Sequence, residues 1–377
     1  MFSGVRLLFC LFVTLGAAYA EGPLQWGEDT PISITGPRAG HQLVLMNASE
    51  DLTRKAIYTA IPDDIVEIDS SGYIRPLKNG TATIRATANE ISSPERQVTV
   101  TKYEVLPPVG FVNEIVPLFT RHGCNGGSCH GKVGGQNSFR LSLMGFEPEK
   151  DRSYLTESRG RRIFRAAPAH SLLALKGSGQ LPHKGGSRLT PGGDDYKLLI
   201  DWIGQLGSPG EPDTPEPDVE RIIVMPSERI TLAEASQQLR VTAHMSDGTS
   251  RDITRAALYE SNDESMAEVD LLGLVKLRGK SGTVSVMVRF REEMAVFRAT
   301  VPLGAPMENI PAPHSLIDTH VFAKLQTLGL PPSERCDDGT FLRRVTVDIA
   351  GRLPSLEESQ AFLADESPAK RSQLIDR

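Results

Sequence analysis

Aromatic residues are scarce: 2 Trp, 7 Tyr and 13 Phe make up 6% of 377 positions. So thin a supply, with Gly 34 and Pro 26, suits several small domains joined by turns and linkers better than one large core. After residue 20 no apolar run approaches the roughly 20 residues that span a bilayer, so no later membrane span is expected. Positive charge is not in excess. The 41 Lys and Arg against 47 Asp and Glu leave a formal charge of -6, with no overall pull toward nucleic acid or an anionic membrane. No hydrolytic triad, phosphate loop or carboxylate pair stands out. The residues present therefore read as a carrier rather than a catalyst, and any catalytic activity would need sequence beyond Arg377. Cysteine numbers only 4, and two of these fall in one short run.

What is present begins with a secretory leader at residues 1–20. Arg6 is the only early charge, Leu7 to Leu15 is apolar, and Ala18-Tyr19-Ala20 is a small-residue cleavage site. The mature chain is expected to start at Glu21, with Cys10 removed. The product belongs outside the cytoplasm, secreted, periplasmic or at the cell surface.

The short run is Cys124-Asn-Gly-Gly-Ser-Cys129-His130. Two thiols followed at once by an imidazole attach a c-type haem: the sulfurs form thioethers to its vinyl groups and the imidazole ligates the iron. The common pattern has two residues between the cysteines. Here four intervene, Asn125 to Ser128, and the two glycines among them let both thiols face one side. An oxidising compartment also favours the alternative, a Cys124–Cys129 disulfide. Structural zinc fits less well, because Cys124, Cys129 and His130 give three ligands and no second clustered pair completes the tetrahedron. Cys336 stands apart and reads as a buried thiol in a separate domain.

Helical spacing runs through Phe111 to His122, with Ile115, Leu118 and Phe119, and through Asp194 to Gly204, with Tyr196, Leu199, Ile200 and Ile203 and with Trp202 near its end. Between them lies Leu181-Pro182-His183-Lys184-Gly185-Gly186. On these features the segment Glu114 to Ile203 resembles the cytochrome c family, and more closely the planctomycete-type cytochrome c domains of large secreted proteins. The resemblance implies one covalent haem c per chain, bound by Cys124, Cys129 and His130, and an as yet unknown redox protein as partner. Small cytochromes c commonly carry a distal Met-Pro pair before the last helix. Leu181 takes that place and cannot bind iron, so the resemblance suggests His183 as sixth ligand, and bis-histidine ligation is expected to lower the potential relative to Met/His. His170, Met144 and an open or water-bound position are the alternatives. Met144, within Leu141-Ser-Leu-Met-Gly145, fits better in a small apolar cluster; His170 could cap a helix over Ser171 to Lys176; His122 reads as solvated.

An internal repeat flanks this segment. Asp51-Leu-Thr-Arg54-Lys-Ala56-Ile-Tyr58 recurs as Asp252-Ile-Thr-Arg255-Ala-Ala257-Leu-Tyr259. The likeness extends from Val66-Glu-Ile-Asp69 with Gly72 to Ala267-Glu-Val-Asp270 with Gly273, and from Gly80 to Ile84 to Gly282 to Val286. Alternation in Thr81 to Thr87 and Thr283 to Phe290, with turns at Asn79-Gly80 and Ser246-Asp247-Gly248, predicts half-buried strands and a β-sandwich. Both copies resemble the bacterial immunoglobulin-like group-2 (Big-2) domain, which implies a spacer role with contacts to cell-surface components as the minor reading. Asp63, Asp64, Asp263 and Glu264 read as solvated loop positions. The sequons at Asn47 and Asn79 would matter only in a eukaryotic secretory pathway.

The fold expected is multidomain: two all-β immunoglobulin-like sandwiches, at 30–103 and 218–303, flank an all-α cytochrome c-like domain at 108–206. A Pro/acidic linker at 207–217 predicts domains strung out along the chain without a shared core. A helical region follows at 312–377. There, Ile317-Asp-Thr-His-Val-Phe-Ala-Lys324 and Phe341 to Ser355 resemble the start of a domain of unknown function (PSCyt type) that accompanies planctomycete secreted cytochromes, and the resemblance implies a continuation beyond Arg377. Arg343, Arg344, Asp348 and Arg352 fit that pattern and read as a structural salt-bridge network. The basic run Arg159 to Arg165 could meet haem propionates or an acidic redox partner, and its plainer reading is a solvated basic face.

Overall fold

Strand Gly80–Ala88 shows why the first sandwich forms: Ala82, Ile84, Ala86 and Ala88 turn inward while Thr81 and Arg85 turn out. In the second unit Val284, Val286, Val288 and Phe290 of Gly282–Phe290 do the same. The computed structural model describes residues 22–28, 30–48, 50–157, 162–206, 215–307 and 310–377. The expected leader at 1–20 and most of the 207–217 linker lie outside these residues.

The two β-units share one topology. In the first, a sheet runs Ile32–Thr35, Arg96–Thr101, Gly80–Ala88, Ile57–Ile61; in the second the order is Glu228–Ile230, Glu293–Val301, Gly282–Phe290, Leu258–Ser261. Each sheet contains one parallel pair, the first strand beside the second, in an otherwise antiparallel set. A smaller sheet follows in each: His41–Gln42, Tyr73–Pro76 and Val66–Ile68, matched by Ser236–Gln238, Leu274–Leu277 and Ala267–Val269. The repeated octet pins the two together. Tyr58 donates to the Thr53 carbonyl at 2.6 Å and Tyr259 to the Thr254 carbonyl at 2.8 Å. Under these rings sit Gly72 and Gly273, at φ +76° and +77°, where an added Cβ would lie 2.9 and 3.0 Å from the tyrosine hydroxyls.

The units are not strung out. Residues to Pro302 form one compact unit, and the two β-units meet through reciprocal contacts. Asp252 accepts the Gln42 N–H at 2.7 Å, and Asp51 accepts the Gln238 N–H and, at 2.9 Å, the Gln237 side-chain amide. Arg255 reaches Asp69 and Ser71 at 2.8 Å, while Arg54 reaches Asp270 at 3.5 Å and Gln238 at 3.0 Å. Linker composition governs the stiffness of a connection, and says nothing of whether the surfaces it joins fit one another.

The segment between them is a helix-and-loop unit, not an all-α one. A π-type turn, Phe111–Ile115, runs into α1 (Val116–Arg121), followed by α2 (Pro148–Thr156), α3 (Leu172–Gly177) and α4 (Asp194–Gln205). Seven glycines between Gly123 and Gly145 break regular structure in the stretch after α1. Phe111 stacks on Trp202 at 5.1 Å, and with Ile115, Leu118, Phe119, Leu199 and Ile203 they make the core. This unit leans on the second β-unit: Arg251 and Arg291 donate to the carbonyls of Asn113 and Val112 at 2.8 and 2.9 Å. Glu216 accepts the main-chain N–H groups of the same two residues.

The C-terminal unit, Leu303–Arg377, holds α5 (Leu316–Leu328), α6 (Asp338–Ala350), α7 (Leu356–Ala364) and α8 (Lys370–Asp376). Ser315 with Asp318, and Ser355 with Glu358, form capping boxes at α5 and α7. The salt-bridge network differs from expectation. Arg343, Arg344 and Asp348 are exposed on α6, whereas Asp338 gathers Lys370 and Arg371, both at 2.7 Å, and Arg352 pairs with Glu358. Cys336 is half-buried rather than buried.

Candidate functional site

The chain leaves α1 and folds back on itself at the two-cysteine loop. Cys124 N–H donates to the Phe119 carbonyl, Cys129 to Gly126, and His130 to Cys124, at 2.8 to 3.0 Å. Buried Asn125 anchors the turn, giving its side-chain amide to the Thr120 hydroxyl at 2.9 Å and its carbonyl to the Met144 N–H at 3.1 Å. Gly131 follows the histidine, where a Cβ would stand 2.0 Å from the Asn125 oxygen. No other residue fits that approach. Cys124 and Cys129 are free, half-buried thiols, and burial pushes the Cys124 thiol up to about 11, so it is neutral at ordinary pH.

His183 comes from the loop after α3, held by Lys176 on the Pro182 carbonyl at 2.9 Å and by Arg188 on the Gly185 carbonyl at 2.8 Å. Fifty-two residues of chain separate it from His130. The two imidazole rings are parallel to within 4°, with centres 6.2 Å apart. His130 donates its Nδ1–H to the Phe139 carbonyl at 3.1 Å, and His183 donates its own to the Gly186 carbonyl at 3.0 Å. A carbonyl only accepts, so each ring carries a proton on Nδ1, and in a neutral ring Nε2 is then the acceptor. Burial, reinforced by His183, Arg162 and Lys132, holds the His130 imidazole below its ordinary range. It is therefore neutral and able to ligate a metal. Among the described residues no group of three or more His, Cys, Asp and Glu side chains gathers as a metal site.

Phe139 and Arg162 were not singled out from sequence. The Phe139 ring lies 4.5 Å from His130, and the Arg162 guanidinium stacks over it at 4.6 Å while bonding to the Ser138 and Tyr154 carbonyls. An aromatic nine residues after the histidine was the available signal. Arg162 belongs to the basic run noted above, and Arg159 and Arg161 lie outside the described residues.

The alternative ligands sit elsewhere. Met144 is at φ +54° on a kinked turn, beside exposed Leu143, so the expected apolar cluster reduces to buried Leu141. His170 ends a 3-10 turn before Ser171, whose side chain, like that of His170, makes no cap bond to α3. His122 is not solvated: its side chain is 10% exposed and bonds Asp195 at 2.7 Å beside Arg121, tying the end of α1 to α4. Burial opposes ionisation of Asp195, but the His122 bond and the Arg121 charge together hold its carboxyl below the usual range.

A sequence comparison with curated proteins finds no match. Among solved structures, domains 5–6 of the S-layer protein SbsC are similar at 10% identity and TM-score 0.28, over 74% of this chain and 97% of that one. The neural ectodermal development factor IMP-L2 is similar at 9% and 0.24, over 74% and 93%. Domains 1–6 of SbsC align at 10% and 0.21 over 78% of this chain, which spans 29% of that structure and 32% of the SbsC structure of residues 31–844. No helix among the described residues is long and apolar enough to cross a membrane. Two families match by sequence: residues 218–289, in the second β-unit, match the bacterial Ig-like domain (group 2), and residues 316–377, in the C-terminal unit, match the protein of unknown function DUF1549 (PSCyt2).

Proposed function

We propose that residues 108–206 are a c-type haem electron-transfer module, carried outside the cytoplasm on two immunoglobulin-like spacer domains. The observation that carries this reading is the histidine pair, parallel to 4° at 6.2 Å with both Nδ1–H groups committed to carbonyls. Two imidazole nitrogens, each about 2 Å from one metal ion, set their ring centres about 6 Å apart. Two side chains alone would not complete a metal's coordination, and a tetrapyrrole would supply the remaining donors. Bound there, haem would supply one-electron chemistry between Fe(II) and Fe(III). His130 and His183 would hold the iron, the Phe139 and Gly186 carbonyls fix the tautomers and orientation of the two rings, and Cys124 and Cys129 would provide the covalent link.

The first β-unit, which repeats the topology and the octet of the second, is a further group-2 domain in this reading. The leader at 1–20 takes the chain to the compartment where c-type haem is attached, and the paired β-units present the module at the cell surface. A pyridine haemochrome spectrum tests the proposal on residues 21–377, secreted from a host with c-type maturation machinery and stripped with acid-acetone. A retained c-type spectrum is expected, and its loss when Cys124 and Cys129 are both changed to Ser. No retained haem, with a Cys124–Cys129 disulfide by mass spectrometry, would leave a structural or adhesive surface protein instead.

A further inference from the structure

We propose that the edge strand of the first β-unit, Ile57–Ile61, pairs antiparallel with the same strand of a second copy of this chain. The strand ends its sheet, bonded to Gly80–Ala88 on one side. An end strand carries main-chain N–H and C=O groups with no partner in its own sheet, and native chains blunt such edges with charge, proline or a covering element. Ile57–Ile61 contains neither charge nor proline. It turns Ile57, Thr59 and Ile61 outward, and the two isoleucines, 73% and 75% exposed, are the most open large apolar residues of either β-unit among the described residues.

Two comparable edges are guarded. The repeat puts Leu258, Glu260 and Asn262 of the second β-unit where the first has Ile57, Thr59 and Ile61. There a carboxylate stands at the centre, and the strand lies against α1. The far end of the first sheet, Ile32–Thr35, follows Pro31 and shows only Ser33 and Thr35 outward.

The occupant of the open edge is written in its own sequence. The outward residues of Ile57-Tyr-Thr-Ala-Ile61 are symmetric about Thr59. A twofold axis there sets Ile57 beside Ile61 of the second copy and Ile61 beside its Ile57, and directly opposed β-branched pairs stabilise adjacent strands. The same axis brings the end that carries Lys55, 62% exposed beside Glu50, to the end that carries exposed Asp63. Opposite charges then meet twice, so the edge complements itself as an isologous dimer requires. A strand of 5 residues covers less than the roughly 1,200 Å² of a stable interface, and the dimer is therefore a weak one that forms as concentration rises.

Sedimentation velocity on residues 21–377, with thiols kept reduced, reads the association from dilute solution up to about 1 mM. A monomer–dimer equilibrium is expected. Thr59→Lys sets two ammonium groups together at the axis and should weaken it about fivefold or more, whereas Glu260→Lys at the matching place in the second β-unit should change it by less than about twofold. Lys55→Asp and Asp63→Lys should each weaken it about threefold or more, and the two together should restore it, because both charges of each pair are then reversed. Self-pairing about Thr59 entails that rescue. A chain that stays monomeric at every concentration, a dimer indifferent to Thr59→Lys or equally weakened by Glu260→Lys, or a double charge variant no better than the single ones would overturn the proposal. Thermal unfolding of each variant separates loss of pairing from loss of fold. The readout needs no haem, so it is independent of the haemochrome test.

Discussion

Asp51 and Asp252 stand at matching places in the two β-units, and each accepts a main-chain N–H from the opposite unit, Asp51 from Gln238 and Asp252 from Gln42. Each also accepts the N–H two residues ahead, from Thr53 or Thr254, so one carboxylate both closes its own turn and bridges to the other copy. The pairing is isologous in the manner of a twofold dimer, though made within one chain.

Removing either carboxylate leaves a buried amide without its acceptor. Asp51→Ala and Asp252→Ala are each expected to destabilise residues 22–302 by about 1–3 kcal/mol, measured by urea unfolding. The double variant should cost less than the sum, because the first change already loosens the shared interface. Strict additivity would show that the two contacts act independently.

Burial raises the pKa of both aspartates, though the bonds they accept oppose it. A carboxyl raised in the folded state favours folding most below its unfolded value of about 3.9 and loses that contribution as pH climbs through the folded value. Stability of the Asp51→Asn variant is therefore expected to fall less than that of the parent between pH 4 and 7. A parallel pair of curves would refute the assignment.

For His130 the sign is reversed. Burial first, with His183 and Arg162, depresses the imidazole, so its contribution is present above the unfolded value of about 6.5 and is lost as pH falls. Arg162→Met takes away a cation and the lid over Phe139. The His130 resonance in the haem-free chain should then titrate at higher pH, nearer the ordinary imidazole value. An unmoved titration would mean that Arg162 serves packing alone.

His183 is open to a direct spectroscopic check. In the haem-loaded protein, His183→Ala should leave the covalent haem in place and change its visible spectrum to that of an open or water-ligated sixth site. His183→Met should raise the reduction potential, as thioether ligation does. A spectrum unaffected by either change would assign the sixth position to another residue.

Asp195 joins the end of α1 to α4, and Asp195→Asn is expected to cost about 1–3 kcal/mol at neutral pH. Its depressed pKa makes that contribution present above about 3.9 and lost as pH falls through the lower folded value. The parent and variant should therefore converge in acid, as followed by the near-ultraviolet signal of Trp202.

Local pattern carried much of this structure. Alternation in Thr81 to Thr87 and Thr283 to Phe290 located the long strands, and helical spacing in Asp194 to Gly204 located α4. The octet at Asp51 and Asp252 revealed the repeat, and position alone directed attention from Leu181 to His183. Relations between distant segments were hidden. His122 looked solvated because Asp195 is 73 positions away; Gln42 and Gln238 attracted no notice because nothing in the local sequence tells that their main-chain N–H groups meet a carboxylate of the other copy. Met144 looked apolar and packed, but a left-handed backbone conformation there cannot be read from side-chain type.

The reciprocal aspartate contacts also decide how load would travel. Tension applied across residues 22 and 302 has two parallel routes, one through the covalent helix-and-loop segment and one directly from β-unit to β-unit. While Asp51 and Asp252 keep their bonds, the strain of a pulled chain passes beside the histidine pair and leaves the spacing of its rings undisturbed.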